Sequence, residues 1–181
     1  MIIILVIVLV AILYFVGIYN ALVRMRNQIK NAWSQIDVQL KRRHDLIPNL
    51  IETVKGYMQH ERETLENVIA ARAKAVNASG VAGKAEAEGY LNTALDKLLA
   101  VVENYPNLKA DQSFATLQEE LSSTENRIAF ARQYFNDSVL NFNNRVEIFP
   151  SNLIASSMNF QKEVYFEIKD AAEKEAPQVK F

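Results

Sequence analysis

The fold is decided by residues 1–40, which read MIIILVIVLVAILYFVGIYNALVRMRNQIKNAWSQIDVQL. The stretch from Met1 to Tyr19 contains no charged residue. As a helix it would span roughly 28 Å, close to a membrane hydrocarbon core about 30 Å thick. Residues 20–23 extend this apolar segment and leave room for tilt. We therefore predict a transmembrane anchor over residues 1–23.

The alternative for this segment is a cleaved signal peptide. A signal peptide has a basic n-region, a shorter apolar run and a small-x-small cleavage site, and the sequence shows none of these. Basic residues instead follow the segment, at Arg24, Arg26 and Lys30. By the positive-inside rule these residues stay cytoplasmic, so we expect a single-pass protein with its N-terminus outside. The same three side chains are placed to contact anionic lipid headgroups.

Length and composition narrow the function classes. The 181 residues suggest one domain, or one domain plus an appendage. With 20 Lys+Arg against 21 Asp+Glu, the chain lacks the basic footprint of a nucleic-acid-binding protein. The absence of cysteine excludes disulfides, thiolate zinc sites and cysteine nucleophiles. Five Gly and four Pro are few for a loop-rich β protein, so the composition indicates a helical one.

Apolar residues spaced three and four apart predict helices in the rest of the chain. The stripe leaves the anchor without a Gly/Pro-rich linker, so we expect one rod from Ile2 to about Val76. Pro48 interrupts it, because a proline removes a helical hydrogen bond, and we expect a kink or restart there. Further helices are predicted over about 84–103, 111–148 and 157–175, with loops at 77–83, 104–107 and 149–152.

Long helices with short connections predict an all-α fold: an N-terminal transmembrane helix continuing into an elongated antiparallel four-helix bundle of coiled-coil type. We assign this bundle to residues 24–176 and a frayed tail to residues 177–181. Leu121 and Ile128 are expected in its core.

Catalytic and metal-binding patterns are incomplete in this sequence. His60 and Glu61 begin a zinc-protease motif, but Thr64 stands where the second histidine is needed. Gly83 and Lys84 lack the spacing and the hydroxyl of a phosphate-binding loop. The Glu-x-x-His pairs of di-metal helical bundles are absent. We therefore predict no enzymatic activity, no catalytic residue, no metal site and no cofactor.

Two polar-rich segments, 31–50 and 124–143, hold most of the remaining candidate residues. One interpretation is that their charged side chains make interhelical hydrogen bonds that fix helix register. A second is a polar docking face for a partner or another protomer, and a third is buried catalysis. The candidate residues are Trp33, Arg42, Asp45, Glu52, Arg127 and Arg132.

Several motifs together point to a known family. They are AWSQIDVQLKRR at 32–43, DLIPNL at 45–50, ENYPNLKA at 103–110, TENRI at 124–128 and FPSN at 149–152. With the anchor before them, they make nearly the whole chain resemble the LemA family of bacterial single-pass membrane proteins. The resemblance implies a plasma (inner) membrane location, an elongated four-helix bundle, and neither an established enzymatic activity nor a cofactor. Family members include proteins implicated in forming the magnetosome membrane, and some lie beside membrane protease genes.

Two functional hypotheses follow, neither involving nucleic acid. The first is a scaffold that contacts the lipid bilayer and forms a homo-oligomer, with protomers meeting at Trp33 and near Arg42. The second is an adaptor that docks on a membrane protein such as a protease. Its docking face would include Asp45, Glu52, Arg127 and Arg132.

Overall fold

The computed structural model describes residues 1–167, and they form helices joined by short connections. No strand occurs within that range, so the predicted all-α class is confirmed. The helices are α1 Ile2–Lys55, α2 Arg62–Asn77, α3 Gly80–Val102, α4 Pro106–Lys109, α5 Gln112–Glu147 and α6 Ser151–Ser157.

The first helix does not restart at Pro48. It is one helix of 54 residues that continues through the proline to Lys55, and the break falls at residues 56–61 instead. Proline lacks the amide hydrogen that would bond to the carbonyl of His44, one turn earlier. That carbonyl accepts a hydrogen bond from Nε of Arg72 on α2, at 2.7 Å. A side chain from a neighbouring helix thus replaces the missing backbone donor.

Other predicted boundaries need correction. The loops predicted over 104–107 and 149–152 already contain the starts of α4 and α6. The loop predicted over 77–83 shrinks to Ala78 and Ser79, because α3 already begins at Gly80, whose φ of 72° suits glycine. The helix predicted over 157–175 is wrong for residues 158–167, which are not helical. This segment instead buries the rings of Phe160 and Phe166. The rest of that predicted helix and the predicted tail at 177–181 lie outside the described residues.

The described chain divides into two compact units, and α1 and α5 contribute to both. Unit 1 comprises Met1–Asp37 and Ala129–Tyr165, and the described part of unit 2 comprises Val38–Ile128 together with residues 166–167.

Unit 1 contains the apolar part of α1. An 18-residue window of this helix has a mean hydropathy of 3.2 and is 6% buried, so α1 is long and apolar enough to cross a membrane. Farther along α1, the Trp33 ring packs on the Phe135 ring of α5, with centroids 5.5 Å apart.

The end of unit 1 folds back on its two long helices. Phe160 packs against Tyr19 of α1 and Phe142 of α5, with ring centroids at 5.9 and 6.3 Å. The Asn143 side chain donates to the backbone oxygen of Glu163 and accepts from its backbone nitrogen, both at 2.9 Å. Phe135 on α5 packs on Trp33 of α1, whereas Phe142, later on α5, lies against the Phe160 ring that packs on the earlier Tyr19. This order is the one expected for antiparallel helices.

Unit 2 is built around one hydrophobic core. Its buried side chains come from five helices, including Leu50 of α1, Val68 of α2, Leu91 of α3, Leu108 of α4 and Phe114 of α5. Leu121 is half-buried and packs against this core, and Ile128 is buried. The core placement expected for Ile128 is therefore confirmed, while Leu121 lies at the margin.

Candidate functional site

A cluster of charged and polar side chains lies within unit 2, where α1, α3 and α5 meet. We name it the Arg43 cluster, and its members are Arg43 and His44 of α1, Glu88 and Asn92 of α3, and Glu125 of α5. The side chains of Arg43, His44 and Glu88 are buried. Buried charges are rare in proteins unless they are paired, so this cluster is the most unusual chemical feature of the unit.

Arg43 is the centre of the cluster. Its Nη1 lies 2.7 Å from Oε2 of Glu125 and 3.7 Å from Oε2 of Glu88. Its Nη2 donates to Oδ1 of Asn92 at 2.5 Å. The planar guanidinium offers several donors in a fixed geometry, and here one arginine of α1 holds partners from both α3 and α5.

Glu88 is the most deeply buried carboxylate of the cluster, with 2% exposure. Its Oε1 lies 2.6 Å from Nε2 of His44. Its Oε2 has no hydrogen-bond partner among the residues that the structure describes, and the Arg43 guanidinium lies beside it. Glu88 and Asn92 stand four residues apart on α3, which places both side chains on the same helix face.

A half-open groove of about 430 Å³ runs beside the cluster. Arg43, Asn92 and Glu125 line it together with Asp96 and apolar side chains such as Leu95. The arginine that faces this groove is already bonded to protein groups. Within residues 1–167, no group of three or more His, Asp or Glu is arranged to hold a metal ion. The contacts of Arg43 and Glu88 tie α1, α3 and α5 together, a geometry that suits the fixing of three helices in register.

The sequence-predicted candidates of unit 2 lie outside this cluster. Arg42, next to Arg43 in sequence, is exposed and reaches Glu120 of α5 at 3.9 Å. Exposed Glu52 lies 3.9 Å from Lys55 on its own helix. Exposed side chains are also found at Asp45 and Arg127. The structure pairs Arg42 and Glu52 with neighbours rather than with one another.

The candidates of unit 1 occupy two environments. Trp33 is half-buried against Phe135, so its ring has an intramolecular packing role, and Arg132 is also half-buried. The side chains named for lipid headgroups are all exposed: Arg24, Arg26 and Lys30. The Arg26 guanidinium lies over the Phe160 ring, 5.1 Å from its centroid, which is within the range of a cation–π contact.

The sequence carries a signal for the Arg43 cluster, although no motif marks it. Arg43 stands three residues after Leu40, and His44 stands three residues before Ile47. At these positions the apolar stripe requires a core side chain. Glu88 likewise stands three residues before Leu91 on the stripe of α3. Charged residues at core positions of separate helices indicate partners for one another, although the periodicity alone does not say which pair.

Comparisons with known proteins place this architecture in context. The model of the LemA family matches residues 32–181. Protein LemA of Metamycoplasma hominis is 28% identical over 164 residues, covering 89% of this chain and 75% of that protein. Magnetosome protein MamQ of Magnetospirillum gryphiswaldense is 27% identical, and Magnetosome protein MamQ 2 of Paramagnetospirillum magneticum is 25% identical, each over 181 residues. Both alignments cover 86% of this chain and 66% of the relative.

Proposed function

This chain belongs to the LemA family, and we propose that it is a non-enzymatic, membrane-anchored helical scaffold. In this proposal it associates with copies of itself to organise or shape a bacterial plasma (inner) membrane. The observation that carries the proposal is α1, a single helix that contains the candidate membrane span and also supplies Trp33 to unit 1 and Arg43 to the cluster. Within unit 1, the candidate span and Trp33 therefore belong to one helix with no linker between them.

The topology in this proposal follows from charge. Arg24, Arg26 and Lys30 are exposed directly after the apolar segment, and the positive-inside rule keeps such residues in the cytoplasm. The N-terminus is then outside and the helical bundle is cytoplasmic. Two relatives are named magnetosome proteins, which supports a role at a membrane.

The self-association surface that we favour is an aromatic pair on α5. Phe130 is 72% exposed, and Tyr134 lies one turn later on the same helix and is also exposed. Aromatic side chains are enriched where proteins meet, because they bury a large apolar area with few rotatable bonds. Tyr134 already accepts a hydrogen bond from Gln28 of α1 at 3.1 Å, which holds its ring in place beside Phe130.

The proposal is tested by photo-crosslinking in native membranes. A benzoylphenylalanine at position 130 of the full-length chain, expressed at its natural level, should give a product of twice the chain mass. The same probe at Asn31, an exposed position of α1 in the same unit, is the matched control and should give less of it. If neither position yields a homotypic product, self-association through this surface is wrong.

A second candidate function is an adaptor that docks on a membrane partner such as a protease. A groove of about 490 Å³ between α1 and α2 favours it, because apolar Ile51 and Leu65 line it together with charged Glu52 and Lys55. Such a mixed surface is typical of non-obligate protein contacts. Reversal of charge at Glu52 (Glu52→Arg) should abolish co-purification of the partner. Glu63→Arg, at an exposed position that does not line the groove, should leave co-purification unchanged.

A further inference from the structure

Beyond the apolar N-terminal part of α1, several exposed apolar side chains lie close together where α5 ends and α6 begins. We name this segment the α5–α6 corner, residues 148–158. Phe149 is 73% exposed, and Ile148, Leu153 and Met158 are exposed as well. Single exposed apolar residues are common on soluble proteins, but several in one short segment mark a contact surface.

The position of the corner along α1 indicates what it contacts. Residues 2–17 of α1 are exposed throughout, whereas Ile18 is only 3% exposed and Leu22 is fully buried. The chain that follows the corner reaches this level, because the Phe160 ring packs on Tyr19. The corner therefore belongs to the part of unit 1 that begins where the exposed apolar stretch of α1 ends.

The length of that exposed stretch sets the depth of the corner in a bilayer. As a helix, residues 2–17 cover roughly 24 Å, which is shorter than a hydrocarbon core of about 30 Å. If α1 crosses a membrane of ordinary thickness, the first protein-covered residues of the helix lie at the inner edge of that core. The side chains of the corner then lie at the boundary between acyl chains and headgroups.

Charged groups sit beside the corner as they do in interfacial membrane segments. The Arg26 guanidinium lies over Phe160, and Lys162 pairs with Glu147 at 2.5 Å. Arg24 is exposed on the same part of α1. Exposed apolar side chains in the same unit as exposed Arg24 and Arg26 suit contact with a bilayer that carries anionic headgroups.

We propose that the α5–α6 corner is a second membrane contact of this protein, a monotopic one. It inserts Phe149 and Leu153 into the interface of the same leaflet at which α1 leaves the bilayer. This inference rests on the membrane anchorage proposed above and is independent of self-association. A wedge of this kind occupies one leaflet only, which gives an anchored scaffold a means to bend the membrane.

The test uses a single tryptophan as a depth probe. Trp33 is the only tryptophan of the chain, so Trp33→Phe provides a background in which Phe149→Trp is the sole reporter. The full-length variant is placed in nanodiscs of phosphatidylcholine and phosphatidylglycerol, with one protomer per disc. The control is Phe130→Trp in the same background, since Phe130 and Phe149 are almost equally exposed. Circular dichroism verifies that both variants keep their helices.

Acyl chains brominated close to the headgroup should lower the fluorescence of the tryptophan at position 149 by about twofold, as expected for an interfacial side chain. They should leave the tryptophan at position 130 almost unchanged. Equal and weak quenching at the two positions would overturn the proposal. Protection of position 149 that appears only when two or more protomers share a disc would overturn it too, because a second copy would then cover the corner. One protomer per disc cannot self-associate, so this result is independent of the scaffold test.

Discussion

Glu88 and Arg43 show how two buried residues connect three helices. The Glu88 carboxylate lies beside both His44 and Arg43, and Arg43 in turn bonds to α5 through Glu125. A buried ion pair adds little net stability compared with an apolar pair, but loss of one partner leaves the other charge buried and unpaired. We therefore expect the cluster to act mainly by disfavouring helix registers that separate its members.

We predict that Glu88→Ala destabilises the full-length protein by about 1–3 kcal/mol, because buried His44 loses its hydrogen-bond partner while Arg43 keeps Glu125 and Asn92. Glu86, two residues earlier, is the matched control, because its contact with Lys74 is an exposed surface pair. Glu86→Ala should change stability by less than about 1 kcal/mol. Urea unfolding followed by circular dichroism measures the stability of both variants. Equal losses of stability would show that the Arg43 cluster does not stabilise the fold.

Asp111 provides a second residue-scale prediction, on pH. Its Oδ1 accepts the backbone N–H of Phe114 and its Oδ2 accepts the hydroxyl of Tyr57, both at 3.0 Å. The Phe114 amide, followed by the Tyr57 hydroxyl, lowers the pKa of the Asp111 carboxyl below its ordinary value. A carboxyl whose pKa is lowered by folding stabilises the folded state above its unfolded pKa, about 3.9. That contribution is lost as the pH falls through the lowered pKa.

The Asp111→Asn variant should therefore lose less stability than the wild type when the pH is lowered below about 4. The asparagine oxygen still accepts the Phe114 amide, so the start of α5 remains capped. Urea midpoints at neutral and acid pH, compared between wild type and variant, give the result. An acid loss of the same size in both proteins would contradict the assignment to Asp111.

At the scale of the element, α1 receives a hydrogen bond from Arg72 of α2 at the turn that contains Pro48. Pro48 leaves the His44 carbonyl without its backbone donor, and Arg72 supplies a replacement. Arg72→Met should cost about 1–3 kcal/mol, as expected when a buried acceptor loses its partner. In a Pro48→Ala background the restored amide satisfies that carbonyl, so the same substitution should cost less. A double-mutant cycle measures the difference, and additive effects would exclude the compensation.

The core positions of α5 make a further prediction for this element. Ile128 is buried, so Ile128→Ala should cost about 2–5 kcal/mol. Leu121 is half-buried at the margin of the unit 2 core, and its truncation to alanine should cost less. Thermal melting of the two variants ranks them, and the reverse order would show that the placement of the stripe is wrong.

At the scale of the whole molecule, local sequence patterns predicted the helical class and the span of α5. The spacing of apolar residues indicates a helix, and Pro150 indicates where it ends, and both signals involve only residues near one another in sequence. The continuity of α1 through Pro48 was not predictable locally, since it depends on Arg72, which is distant in sequence. The last predicted helix failed because Phe160 and Phe166 are buried in a non-helical segment. The Arg43 cluster was missed for a similar reason: its partners come from three helices.

The most direct test of the central claim, a self-associating membrane scaffold, is to count copies of the chain in its own membrane. Native membranes that express the full-length chain at its natural level would be divided into polymer-bounded nanodiscs. The copies per disc would then be counted by single-molecule photobleaching. We predict discs with several copies for the wild type and a shift towards single copies for Phe130→Ser, while Asn31→Ser stays like the wild type. Single copies in wild-type discs at all expression levels would contradict the account.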